Sequence, residues 1–217
     1  TKTAAVANIQ FANVTSESVA SALGGLLVLY SFQHVIWAQS ITAWVPLLIA
    51  LTLKETPIEK MSRTEHRQNL KKVFRHIFRS EKIIRLSFIN LVVWGLSTFF
   101  MIWIFQKYWQ QEGISIGFFG LLWAGYNLSI GLIGKRTAFW ENKYGTTSIL
   151  VVLSLLPIFG YFGMAFIGGW IGVLLGFTFQ ISRGLCNVII KDALNARTPN
   201  QFRATMNSLS SLFFRGI

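Results

Sequence analysis

The chain is poor in the residues that build metal sites, disulfides and acid–base catalytic sites. It has one cysteine, Cys186, and three histidines, and only 8 of its 217 residues are acidic. His34, His66 and His76 show no metal-ligand spacing, and a single cysteine gives no disulfide framework. A glycine-rich phosphate-binding loop of the Walker type is also missing. These absences exclude a disulfide-stabilised secreted domain and a zinc site, and they argue against direct use of ATP.

What the chain has in excess is apolar surface. Hydrophobic residues make up 53% of the sequence and aromatic residues 15%, whereas charged residues reach only 13%. A domain of this size cannot hide so much apolar surface from water, so the composition predicts a membrane protein. The 20 basic residues give a net charge of +12, which in a soluble chain would suggest nucleic acid as a partner. Their positions along the chain favour a different explanation.

Uncharged runs of membrane-spanning length follow one another. A helix needs about 20 mostly apolar residues to cross a bilayer. The uncharged run Tyr144–Ser182 is long enough for two helices, joined by a turn near Phe166–Trp170. Phe11–Ser31 is a more polar span that contains Glu17, and Ala204–Ile217 begins a further apolar stretch that stops too soon. With the three remaining runs, the sequence predicts six spans and an all-α polytopic bundle. Those three runs are Val35–Leu53, Leu86–Gln106 and Gly113–Gly134.

The positive charges predict the orientation of these spans. The segment 54–85 carries ten of the 20 basic residues, so we expect it to be cytoplasmic. The turns near Phe32–His34 and Phe166–Trp170 have no Lys or Arg, as is usual for outside turns. The sequence thus predicts an integral protein of the plasma membrane, the inner membrane in a bacterium, with lipid and not nucleic acid as its surroundings. Alternation places on the inner side Lys135, Arg136, Lys143, Lys191, Arg197 and Arg203, and on the outer side only Lys107.

Apolar residues recur at helical spacing inside the basic segment. They follow the i, i+3, i+4, i+7, i+8 pattern, with lysines and arginines on the other side. This pattern predicts an amphipathic helix at the inner membrane surface, where anionic headgroups attract the basic side chains. A linker held at the membrane surface by its own charges explains this pattern as well as a regulatory element does. The apolar residues are Leu70, Val73, Phe74, Ile77 and Phe78.

Three local motifs accompany this order of spans. The connection from Gly134 to Gly145 ends in Asn-Lys-Tyr-Gly, and Ser18–Gly25 ends in two glycines. The third motif is the run from Arg183 to Ser208, which includes Asp192, Asn195, Pro199 and Arg203-Ala-Thr. Motifs and topology together resemble the middle of a major facilitator superfamily transporter. In that family two six-helix halves are joined by a long cytoplasmic linker.

The motifs match the family's patterns with some departures. The family's cytoplasmic signature reads Gly, three residues, Asp-Arg, any residue, Gly, and Asn142, Lys143 and Gly145 fall on its Asp, Arg and second Gly. Asn142 in place of Asp removes the acid of the signature's charge pair from this copy. Drug–proton antiporters of the family carry Gly-Pro where this chain has Ala20-Ser21. The antiporter signature is therefore incomplete.

The resemblance implies an organisation and a function. It implies that 1–53 holds the last two helices of the N-terminal half, 54–85 the linker, and 86–217 the start of the C-terminal half, as a piece of a longer chain. It further implies a secondary active transporter that moves a small solute by alternating access, coupled to a proton or ion gradient. Such a protein is not an enzyme, needs no cofactor, and is expected to be monomeric at full length. A membrane-embedded enzyme and a non-transporting receptor or scaffold are the alternatives.

Polar side chains on the spans are the candidates for a substrate site, which in such folds lies near the bilayer midplane. Gln180, Arg183 and Asn187 are spaced i, i+3, i+7, which puts one polar face on an apolar helix. Arg183 lies about 12 Å inward from Lys191 at the rise of a helix. It suits a carboxylate, phosphate or sulfonyl group, although a purely structural ion pair is equally consistent. The predicted substrate-binding residues are Asn90, Trp94, Asn127, Gln180, Arg183 and Asn187.

Glu17 is the only acid well inside a span. We expect it to pair with Arg183 across the two halves or to carry a coupled proton. The glycines Gly168, Gly172 and Gly176 recur every fourth residue, a spacing that lets helices approach closely. A latch or helix cap at the cytoplasmic connections is the remaining candidate, and its residues are Asn142, Lys143, Gly145, Asp192 and Arg203.

Overall fold

The computed structural model describes residues 2–54, 63–79 and 82–215. Throughout these three ranges the secondary structure is helical, and it contains no strand. A short 3-10 turn, Ile116–Phe118, precedes the sixth α-helix. The α-helices are α1 (Lys2–Tyr30), α2 (Phe32–Thr42), α3 (Trp44–Thr52), α4 (Arg63–Arg79), α5 (Lys82–Gln111), α6 (Phe119–Tyr144), α7 (Thr146–Phe166), α8 (Gly169–Leu175), α9 (Phe177–Arg197) and α10 (Asn200–Arg215).

The predicted all-α polytopic fold is confirmed. Six helical stretches in the described ranges are long and apolar enough to cross a membrane, and they follow the predicted order. The turn expected near Phe166–Trp170 lies between the end of α7 and the start of α8. These stretches are Phe11–Tyr30, Phe32–Thr52, Lys82–Gln111, Ile116–Tyr144, Thr146–Phe166 and Gly169–Arg197.

The second span differs from its predicted form because it is not one continuous helix. It is divided at Ala43 into α2 and α3. Pro46 explains the position of the break, since its ring nitrogen has no hydrogen to donate to the carbonyl of Thr42. The Thr42 hydroxyl bonds back to the carbonyl of Ala38 at 2.9 Å, which also disturbs the helix at this point.

The first span packs along α6 in the antiparallel direction. Near one end of the pair, Gly131 faces the ring of Phe11, and near the other end Gly25 and Gly120 meet backbone to backbone. A Cβ built on Gly25 would lie 2.8 Å from the Cα of Gly120. The Nζ atom of Lys135 lies 3.4 Å from the centroid of the Phe11 ring, a cation–π contact. The two helices are thus held together over most of their length.

The remaining spans form a bundle with α9 at its centre, packed against α5, α6 and α7. Two apolar cores lie within it. One core joins α4, α5, α7, α9 and α10 at the end of the bundle where α4 lies, which we call the basic end. The other is an aromatic cluster at the opposite end, built around Phe105, Trp109, Tyr126 and Phe179. Trp109 is completely buried there, so it fills the bundle and is not exposed at the membrane surface.

The amphipathic helix is present as α4, but its apolar residues do not form one uniform face. Val73 and Ile77 are completely buried, and α4 packs on α5 and α10. Leu70, Phe74 and Phe78 remain partly exposed, although Phe78 contacts Phe88 edge to face. The helix is therefore docked on the protein and also presents apolar side chains to its surroundings.

The glycine repeat around α8 does not serve the helix–helix packing that its spacing suggested. Each glycine instead makes room for the polar tip of a side chain from α5, α6 or the turn between them. A Cβ on Gly172 would collide with the hydroxyl of Tyr108, and a Cβ on Gly176 with the hydroxyl of Tyr126. The span breaks at Gly176, and the Tyr126 hydroxyl donates to the carbonyl of Val173 at 2.5 Å. The backbone group at the break is thus satisfied inside the protein.

The first glycine of the repeat lies at a capped helix start. The carboxylate of Glu112 accepts a hydrogen bond from the backbone N–H of Gly169, at the start of α8. A Cβ on Gly168 would lie 3.0 Å from the same carboxylate. A negative group at this position satisfies an N–H of the first turn and complements the helix dipole. The hydroxyl of Tyr108 adds a bond of 3.1 Å to the carbonyl of Ile167.

Candidate functional site

A cavity of about 410 Å³ lies between α5, α9 and α10. Helical spacing explains which residues of α5 line this cavity. They lie on one side of the helix and are Leu91, Gly95, Thr98 and Ile102. The predicted residues Trp94, Arg183 and Asn187 all line it. The structure therefore brings together three of the six side chains that the sequence suggested for substrate binding.

The charge in this cavity is of one sign. Arg183 and Lys191 both line it, and none of its described lining residues is acidic. Arg183 is half-buried and Lys191 is exposed, so one guanidinium sits deeper in the bundle and one ammonium nearer the basic end. Ser182, Asn187 and Thr98 add hydroxyl and amide groups to an otherwise apolar wall. Such a wall favours a ligand with a negatively charged group and an apolar body.

Lys191 is a charged residue of this cavity that the sequence analysis assigns only to the topology, at the inner end of the span. It follows Arg183 and Asn187 at i+8 and i+4, which places all three on one side of α9. That spacing was available in the sequence and would have identified it.

Gln180 differs in position from Arg183 and Asn187, the other two residues of the polar face predicted on α9. It is 2% exposed and does not appear among the described residues that line the cavity. Its position one helical turn before Arg183 puts it deeper in the bundle. A part in substrate binding stays a prediction for this residue.

Asn90 lies in a second cavity of about 650 Å³ at the basic end. Its side-chain amide donates to the carbonyl of Leu86 at 2.9 Å. Trp94 lines both cavities, whereas Asn90 lines only the second. The two residues spaced i, i+4 on α5 therefore share the second cavity, and Asn90 does not line the cavity of Arg183.

Asn127 and Glu17 lie away from both cavities, among the residues that the structure describes. The contacts of Phe11 with Gly131 and of Gly25 with Gly120 set the register between α1 and α6. In this register Asn127 lies level with the turn of α1 that contains Glu17. Since α1 packs on α6 and not on the wall of the Arg183 cavity, the structure does not bring Glu17 into that cavity. The Glu17–Arg183 pair stays a prediction.

The first group of predicted latch residues lies at the connection between α6 and α7. Asn142 and Lys143 are exposed, and Gly145 ends α6 with a φ of 81°, which a residue with a side chain rarely adopts. Glu141 holds this turn, because its carboxylate accepts a hydrogen bond from the hydroxyl of Thr146 at 2.7 Å. Glu141, the neighbour of Asn142, is thus part of the structure of this turn.

The second group lies at the connection between α9 and α10. Arg203 donates to the carbonyl of Thr198 at 2.9 Å, which ties the start of α10 to the end of α9. Asn207 donates to the side chain of Asn195 at 3.0 Å and fixes the same two helices. Asp192 is exposed and lines the second cavity with Glu141. These contacts make a helix connection, and a role in gating stays a prediction.

Within the described residues, no group of three or more His, Cys, Asp or Glu side chains is arranged to hold a metal ion.

Comparison with known proteins identifies a family. The family model described as Major Facilitator Superfamily matches residues 2–217. No curated protein and no solved structure matches the chain. The family match confirms the resemblance that the motifs and the order of spans suggested.

Proposed function

The chain belongs to the Major Facilitator Superfamily, a family of membrane transporters, and from this premise we propose that it takes part in secondary active transport of a small organic anion. The proposed binding site is the cavity between α5, α9 and α10. Arg183 would contact the negative group of the solute, while Trp94 and Asn187 would contact its body.

The observation that carries the proposal is the positive sign of the charged side chains that line this cavity. Two cations, Arg183 and Lys191, share a cavity of about 410 Å³ with no acid among its described lining residues. An anionic ligand in this cavity would interact favourably with both positive side chains, and most directly with the deeper one, Arg183. A planar guanidinium also binds carboxylate, phosphate and sulfonyl oxygens in a bidentate manner.

The organisation in two halves is part of the proposal. Residues 1–53 would belong to the N-terminal half and residues 86–217 to the C-terminal half, with 54–85 as a cytoplasmic linker between them. The packing of α1 on α6 supports this arrangement, because it brings a helix from each side of the linker into one interface. Alternating access would then move the two halves about this interface.

Coupling to a proton or ion gradient follows from the same proposal. Glu17 lies on a spanning helix, level with Asn127 of the facing helix. A carboxyl group on a spanning helix is a side chain of the kind that carries protons in transporters, so we assign this role to Glu17.

The test is substrate uptake by the encoded protein reconstituted in proteoliposomes. Solutes of similar size are compared in three sets, which are organic anions, organic cations and neutral sugars, with and without an imposed pH gradient. We expect uptake of an anion, and Arg183→Gln should raise the apparent KM about 10- to 100-fold, the range of a lost charged hydrogen bond. Arg183→Lys should be less damaging because the charge remains.

Arg136→Gln is the matched control, since it removes an exposed arginine at the end of α6 outside both cavities. It should leave uptake unchanged. Uptake confined to cations or sugars, or an anion uptake that Arg183→Gln leaves intact, would contradict the proposed site.

A further inference from the structure

The sides of α4 divide into three sectors. Val73 and Ile77, which are completely buried, face α5 and α10. A second stripe consists of Leu70, Phe74 and Phe78, spaced i, i+4, i+8, which are 42%, 37% and 43% exposed. A third stripe is basic and lies one residue further along the chain, so that it borders the apolar stripe on the helix surface. Its members are Lys71, Arg75 and Arg79, with Lys72 beside them, and all are exposed.

Acids flank this stripe in the sequence, at Glu65 and Glu81, but none lies within it. From residue 66 to residue 80 the chain contains no Asp or Glu, and Lys82 and Arg85 continue the exposed basic surface at the start of α5. Since the buried sector fixes the helix on the protein, the basic and apolar stripes have a fixed position relative to the spans.

From these contacts and charges we propose that α4 is a binding site for acidic phospholipids in the leaflet at the basic end. The apolar stripe of Leu70, Phe74 and Phe78 would pack on acyl chains, and Lys71, Arg75 and Arg79 would contact the phosphate groups. Long basic side chains beside an apolar stripe reach headgroups while their stems stay on apolar surface.

The apolar stripe is the reason for choosing a lipid as the occupant. A free phosphate or another soluble anion would use the cations but leave Phe74 and Phe78 exposed to water. Both rings are also part of the protein's own aromatic packing, because Phe74 contacts Phe213 and Phe78 contacts Phe88. A lipid on this surface would therefore complete an apolar layer that the protein begins. The binding does not depend on the transport function.

The experiment measures lipid retention by the whole encoded protein. The protein is placed in nanodiscs of phosphatidylcholine that contain a minor fraction of phosphatidylglycerol with the same acyl chains. After extraction into mild detergent, the retained lipids are counted by native mass spectrometry. The proposal predicts enrichment of phosphatidylglycerol over its share in the nanodisc. Arg75→Gln should lower this enrichment about fivefold, the factor that corresponds to about 1 kcal/mol for a cation at the membrane surface.

The triple variant Lys71→Gln, Arg75→Gln, Arg79→Gln should lower enrichment at least tenfold. Its matched control is Lys54→Gln, Arg136→Gln, Lys143→Gln, which removes the same charge from three exposed positions outside α4 and should leave enrichment within about twofold. Arg75→Lys keeps the charge and should also retain the lipid. Thermal unfolding in detergent without lipid shows that the variants are folded.

Three results would overturn the proposal. The first is equal retention of the two lipids by the unmodified protein. The second is an equal loss in the α4 triple and the control triple, because net charge alone would then explain it. The third is displacement of the lipid by inorganic phosphate, which would make the surface a site for a soluble anion.

Discussion

Adjacent glycines on α1 give opposite predictions for the same substitution. A Cβ on Gly25 would lie 2.8 Å from the Cα and 3.1 Å from the nitrogen of Gly120, whereas a Cβ on Gly24 would meet nothing within 4 Å. The atoms facing Gly25 belong to backbone, so they cannot rotate away as a flexible side chain would. Ordinary carbon contacts lie at about 3.5–4.0 Å. Gly25→Ala therefore requires α1 and α6 to move apart.

The magnitude follows from comparing the two positions. Alanine gains roughly 0.5–1 kcal/mol over glycine inside a helix, and this gain applies to both substitutions and cancels in their difference. Overpacking costs about 1–3 kcal/mol and applies at Gly25 alone. We therefore expect Gly25→Ala to be less stable than Gly24→Ala by about 1–3 kcal/mol.

The assay is reversible unfolding of the purified protein in detergent, followed by circular dichroism and by intrinsic tryptophan fluorescence. Gly24→Ala should be as stable as the unmodified protein or slightly more stable. The Gly25→Ala variant should unfold several degrees lower. Equal shifts at the two positions would refute the close approach of Gly25 to Gly120, and with it the register of α1 on α6.

Three further predictions concern single side chains. Tyr126→Phe removes the donor to the Val173 carbonyl at the break before α9, and it should lower the free energy of unfolding by about 0.5–1.5 kcal/mol in the same unfolding assay. Glu112→Gln removes the negative charge that accepts a hydrogen bond from the N–H of Gly169, so it should lower the free energy of unfolding by about 0.3–1 kcal/mol. If the loss of stability is as large in high salt as in low salt, it is not caused by the charge. If Glu17 carries the coupled proton, Glu17→Gln should abolish uptake driven by a pH gradient while leaving counterflow exchange intact; loss of both would show that its role is structural.

The fold was predictable because the membrane restricts what can cross it. Six apolar stretches of spanning length and the turns between them follow from counting residues between charges, and family motifs supplied the order. The break at Ala43 was also accessible, because Pro46 cannot donate to a carbonyl four residues earlier. A count of uncharged residues does not show this break, because a proline leaves the run uncharged.

The glycine repeat shows where sequence reasoning stops. Positions spaced by four leave a groove without side chains, and the sequence alone does not say what fills it. A neighbouring helix was expected, but the hydroxyls of Tyr108 and Tyr126 and the carboxylate of Glu112 occupy the groove. These residues are far from the glycines in the sequence, so only the tertiary structure pairs them.

The candidate site was predictable only in part for a similar reason. Helical spacing identified Arg183 and Asn187 on one side of α9, and both line the same cavity. Spacing on α5 groups Asn90 with Trp94, and both line the second cavity, but only Trp94 also lines the cavity of Arg183. Periodicity assigns residues to a helix face, and the division of that face between two cavities depends on the shapes of the side chains.

The most direct test of the central claim is the accessibility of the Arg183 cavity from the two sides of the membrane. Cys186 is first replaced by Ser, and a cysteine is then introduced at Asn187, which lines the cavity, or at Val151, which is exposed on α7 outside both cavities. Membrane-impermeant methanethiosulfonate reagents are added to right-side-out and to inside-out vesicles, and labelling rates are measured by mass spectrometry.

If the cavity is part of the transport path, the cysteine at position 187 should react from both sides of the membrane. An anionic reagent should react faster than a cationic one because Arg183 and Lys191 line the cavity. A transported anion should slow the reaction. The Val151 variant should react only with membrane-permeant reagents. If the cysteine at position 187 behaves like the one at position 151, the cavity is not part of a transport path and the proposed site is wrong.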